Sequence, residues 1–138
     1  MTVDNDNPFA DIRGPEDARA ALADWKERAE QRAADAIAAS EAVQELTAVG
    51  MDANGAVAVK LNSSGAVIGV QFAPELQRMQ LRHAERQFME AYGNAGKVLL
   101  KQARDAVEAR LDPGSPTARA LVDSIKMRFP EPEPEERP

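Results

Sequence analysis

Gly55-Ala56-Val57-Ala58-Val59-Lys60-Leu61-Asn62-Ser63-Ser64-Gly65-Ala66-Val67-Ile68-Gly69-Val70-Gln71-Phe72-Ala73-Pro74-Glu75-Leu76 alternates apolar side chains with a period of two, broken by a polar turn. Val57, Val59 and Leu61 fall on one face of a strand, and Ile68, Val70 and Phe72 on one face of the next. Between them Asn62-Ser63-Ser64-Gly65 has turn composition. Upstream, Thr47 to Asp52 reads as another short strand. Ala53-Asn54-Gly55 joins it to the second, since Asn and Gly both tolerate positive φ. Two successive hairpins make a meander of three antiparallel strands.

On both sides of the meander the period becomes helical. Gly14-Pro15-Glu16-Asp17 has the marks of a helix start: a proline whose missing N–H is harmless in the first turn, and acids that complement the helix dipole. From there to about Leu46, Leu22, Ala29, Ala36 and Val43 recur every seven residues, as do Trp25, Arg32, Ala39 and Leu46. Seven of those eight positions are apolar, a coiled-coil-like stripe. Pro74-Glu75 is expected to open a second long helix ending near Leu111, before Asp112-Pro113-Gly114. Leu81, Ala84, Phe88, Ala91, Ala95, Val98, Leu99 and Ala106 form its apolar side, and Arg78, Arg82, Arg86, Lys97, Lys101 and Arg104 its opposite side. Ser115 is the expected N-cap of a short third helix with Ala120, Leu121, Ile125 and Phe129 on its apolar face.

The expected class is therefore α+β. Residues 1–13 read as a flexible arm, 14–111 as the main domain, 112–129 as a helical extension, and 130–138, alternating proline and glutamate, as a disordered tail. Of the 138 residues 43% are hydrophobic but only 4% aromatic, and alanine dominates the helices. Alanine buries little area at roughly 25 cal/mol per Å², and a three-stranded sheet alone is marginal. Both point to an intertwined homodimer, with Leu22, Trp25, Val57, Val59, Ile68, Val70, Phe88 and Tyr92 at its interface.

The absence of cysteine excludes disulfides and thiolate chemistry. His83 is the only histidine, so no metal set is expected. No cofactor is expected: the glycines sit in turns or inside the second helix, not in a phosphate loop. The carboxylates show no pairing of the kind acid–base catalysis needs. The chain reads as a binding protein, not an enzyme. Its acidic N-terminus has no apolar signal segment, and no apolar run approaches the roughly 20 residues of a membrane span. A cytoplasmic, membrane-free setting is expected.

The net charge of −6 is unevenly spread: residues 1–50 hold eleven acids and five bases, whereas residues 74–111 hold five acids and seven bases. The only positive segment is the second long helix. Its basic side has two readings, a phosphate-binding surface or a solvated face whose charges, Glu90, Asp105 and Glu108 included, pair at i,i+4.

The stretch from Gly55 to Leu76 also resembles the central signature of the YbaB/EbfC family of small bacterial nucleoid-associated proteins. There a Gly-rich turn, a valine-alternating strand, a polar Gly turn, a third strand and a Pro-containing helix start follow in the same order. Ala91-Tyr92-Gly93-Asn94-Ala95 is similar to the family's "Ala, aromatic, Asn, Ala" stretch. The resemblance covers about residues 15–111. It implies an α-β-β-β-α homodimer that binds double-stranded DNA without strong sequence specificity and sits on the nucleoid. The alternative is a protein–protein adaptor, regulatory or secretion-associated, built on the same dimer. It would present an Ala-rich helical groove and the acidic Pro/Glu tail to a protein, and the net charge of −6 favours it. The departures from the family are an Ala-rich first helix and the extension beyond residue 111.

Overall fold

The computed structural model describes residues 13–129. Two of the segments expected from sequence, the N-terminal arm except Arg13 and the tail over 130–138, lie outside them. Helix α1 (Pro15–Gln44) leads into strands β1 (Thr47–Met51), β2 (Val57–Asn62) and β3 (Val67–Phe72). A 3-10 turn (Pro74–Arg78), helix α2 (Leu81–Glu108) and helix α3 (Pro116–Lys126) complete the chain. The sheet order is β1-β2-β3, antiparallel throughout. The class is α+β, as the sequence implies. No helix among the described residues is long and apolar enough to cross a membrane.

Side-chain chemistry fixes both turns. In the first, Asp52 is buried and its carboxylate accepts from the Val57 N–H at 2.7 Å and the Asn54 N–H at 3.3 Å. Only Gly55 takes positive φ (68°); Asn54 does not, so the turn is not the two-residue type in which both would. In the second, Asn62 Oδ1 accepts from the backbone N–H groups of Ser64 and Ala66, each at 3.0 Å, and Gly65 takes φ 83°.

Helix α2 lies across β1 and β2. Gly50 of β1 allows the close approach: a Cβ there would overlap the backbone of Ala91 and Ala95. Val57, Val59 and Leu61 face the same helix and form a cluster with Ala56, Ala91 and Ala95. A second cluster joins Val43 of α1 and Ala48 of β1 to Leu99, Ala103 and Val107 of α2 and Ala118 and Ile125 of α3. Phe129 packs against both. The C-terminal extension is thus part of the core. Ser115 caps α3 as expected, its Oγ accepting from the Ala118 N–H at 3.2 Å.

Two expectations are corrected. Pro74 does not open the long helix. Leu76 and Met79, on the 3-10 turn and just after it, pack against the Val57–Val59 cluster, and Met79 and Gln80 are extended before α2 begins at Leu81. Arg78 therefore belongs to the turn and not to the face of α2. Val57 and Val59, expected at a dimer interface, are 0% exposed within the single chain. Helix α2 covers them, and they have no surface left for a second copy.

Much apolar surface stays open. Only Ala39 and Val43 of α1 are fully buried, and the helix overhangs the core, exposing Leu22 (51%), Trp25 (43%) and Ile37 (60%). Strand β3 is an edge strand with a bulge opposite Lys60/Leu61, which leaves Ile68 unpaired in register and exposed. Phe72 on the same strand is 58% exposed. Val49 and Met51 are exposed on the opposite sheet face from Ala48 and Gly50.

Candidate nucleic-acid interface

The elements that hold the outward face of α2 are local and polar. Glu90 and Asn94, one turn apart, clamp the β1–β2 hairpin: Glu90 Oε1 accepts from the Ala53 N–H at 2.8 Å, and Asn94 Nδ2 donates to the Met51 carbonyl at 2.7 Å. Ala91 and Ala95 meet Gly50 between them. The stretch from Ala91 to Asn94 that carries the family resemblance is thus the seam between helix and sheet. One helix face is spent on the sheet, which turns the charged side to solvent.

On that side Arg82, Arg86, Lys97, Lys101 and Arg104 are all exposed. Lys101 pairs with Asp105 at 3.0 Å, an exposed i,i+4 bridge. The other four make no salt bridge among the described residues. Of the acids that share this side, Asp105 is in that single pair, Glu90 is held by the Ala53 amide, and Glu85 and Glu108 are exposed near the cations without bridging them. A face laced with i,i+4 pairs is not what the structure places here. Helix α2 also starts without a side-chain cap and without an acid in its first turn, so its positive pole and free N–H groups add to the field of Arg82. His83 is exposed in that turn, on the polar side as expected.

The C-terminal corner supplies a cation that the sequence reading did not include. Phe129 seats on Gly96, where a Cβ would come within 2.5 Å of its Cδ1, and its ring centroid is 5.7 Å from that of Tyr92. This brings Arg128 alongside α2, with its Nη1 donating to the Ser63 carbonyl at 3.0 Å. The resulting groove, about 600 Å³, is lined by Lys97, Lys101, Arg104 and Arg128, with one carboxylate, Glu90, at its edge, over a floor that includes Tyr92 and Phe129. No local signal marks Arg128: its role depends on a packing contact between residues 33 apart in the chain.

The expected interface residues are divided. Leu22, Trp25 and Ile68 are exposed, Val70, Phe88 and Tyr92 are half-buried, and Val57 and Val59 are core. Phe88 and Tyr92 stack with centroids 6.5 Å apart, and Tyr92 continues to Phe129, so these two support the groove from inside. The fold defines a small α+β protein with one long uncovered helix and a cationic groove. In comparisons with known proteins, no family model and no curated protein matches the chain.

Proposed function

We propose that the protein is a homodimer that binds double-stranded DNA through phosphate contacts, without strong sequence preference, as the YbaB/EbfC resemblance implies. On this reading it is a nucleoid-associated protein of the cytoplasm. The observation that carries it is the set of exposed cations on α2, four of them free of carboxylate partners among the described residues. Phosphate binding needs several such charges on one surface, and a second copy doubles their number.

The overall charge of −6 does not weigh against this. Residues 1–12 hold three aspartates and no base, and residues 130–138 hold four glutamates and one arginine. Residues 13–129 hold sixteen acids and sixteen bases. The described body is neutral, with acids concentrated on α1 and the free cations on α2.

Dimerisation is supported by the uncovered apolar surface. An exposed edge strand such as β3 offers unpaired backbone groups to another chain, and the α1 stripe has the seven-residue spacing of a helix that pairs with another.

The test is charge reversal. Lys97→Glu, Lys101→Glu and Arg104→Glu together are expected to weaken binding of a duplex oligonucleotide by roughly tenfold or more at low salt. Lys26→Glu and Arg28→Glu on α1 should leave it unchanged. Equal effects of the two sets, or no DNA binding by the unaltered protein, would remove the reading. The second reading, a protein adaptor built on the same dimer, then takes its place.

A further inference from the structure

We propose that residues 130–138 dock in the cationic groove between α2 and the Arg128–Phe129 corner and compete there with phosphate, so that the chain carries a reversible inhibitor of its own binding surface. The competition rests on the groove being the phosphate site proposed above; the docking itself does not.

Three observations converge. The first is position. Phe129 seats on Gly96 and beside Tyr92, so the described chain ends at the wall of the groove. The second is charge. The segment Pro130-Glu131-Pro132-Glu133-Pro134-Glu135-Glu136-Arg137-Pro138 holds four glutamates and a single arginine, and the groove is lined by four cations against one carboxylate, Glu90, which is held by the Ala53 amide. The third is reach. Nine residues at about 3.1 Å each span roughly 28 Å in an extended proline-rich conformation, against roughly 12 Å along α2 from Gly96 to Arg104.

The alternate prolines lower the conformational entropy lost on docking. Tethering raises the local concentration of the segment to the order of millimolar, so weak carboxylate contacts suffice. The contacts are exposed and are screened by salt. A long polyphosphate such as DNA presents more charge than four glutamates and displaces them. The segment thus sets a threshold: short or weakly charged anions are excluded, and a duplex that engages the whole dimer is admitted.

Three proteins are compared: the full chain, a chain ending at Pro130, and the full chain with Glu131→Gln, Glu133→Gln, Glu135→Gln and Glu136→Gln. All keep Phe129, so the core is untouched. Amide NMR spectra of the full chain at low salt should differ from both variants at residues 97–104 and at Arg128, and the differences should vanish at about 0.5 M salt. Spectra that coincide in the groove would overturn the docking, whatever the DNA result. In parallel, both variants should bind a duplex oligonucleotide on the order of tenfold more tightly than the full chain at about 50 mM salt. Groove shifts with equal DNA affinities would overturn the competition and keep the docking. Groove shifts with no DNA binding by any of the three would instead remove the function proposed for the site.

Discussion

Gly96 lies under the Phe129 ring, whereas Gly93, one turn earlier on α2, has open space where a side chain would be. Glycine inside a helix costs about 0.5–1 kcal/mol relative to alanine. Gly93→Ala should therefore raise stability by about that amount. Gly96→Ala gains the same propensity but pushes Phe129 off its seat, and overpacking of this kind costs about 1–3 kcal/mol. Thermal melts of the two variants should move in opposite directions. A rise for both would show that Phe129 is not held where the groove requires it. Gly50→Ala is the severe case, because the obstacle is the backbone of Ala91 and Ala95 and not the end of a flexible ring.

At the scale of elements, α1 and β3 carry the surface that the single chain leaves uncovered. Packing of an apolar face supplies most helical stability in proteins, and α1 buries only Ala39 and Val43 within the single chain, which argues for a partner. Trp25 is the only tryptophan and sits on that helix. Its emission should be blue-shifted in the dimer and move to the red on dilution. Ile68→Glu with Phe72→Glu, both on exposed side chains of β3, should give a monomer with solvent-like emission at every concentration. A native chain that stays monomeric at high concentration would contradict the dimer.

These elements were legible in the sequence to different degrees. Both hairpin turns could be read because Asp52, Asn62, Gly55 and Gly65 act within a few residues of themselves. The break at Met79–Gln80 could not, because it is set by Leu76 and Met79 reaching the sheet. The alternation of Val57, Val59 and Leu61 gave the buried face correctly but not what covers it. Periodicity does not distinguish a helix of the same chain from a second copy. The basic side of α2 followed from helical spacing, apart from Arg78, which the break removes. Arg128 joined it only through the Phe129–Gly96 contact, which no local pattern encodes.

Charge is separated across the molecule: acids at both ends of the sequence and on α1, and, among the described residues, cations without carboxylate partners on one side of α2 and at the C-terminal corner. Such an arrangement would favour phosphate on the α2 surface and disfavour it at α1. On the proposed function, the α2 surface binds duplex DNA as a dimer. Titrating a labelled duplex over a range of salt concentrations, with the mass of the protein in solution measured alongside, tests this. A dimer is expected whose log affinity falls linearly with log salt, by roughly 0.9 for each phosphate contacted. A slope reduced by about one for each of Lys97, Lys101 and Arg104 removed would place the contacts on α2. A dimer that leaves the duplex free at the lowest salt, or binds it equally at all salts, would contradict the claim.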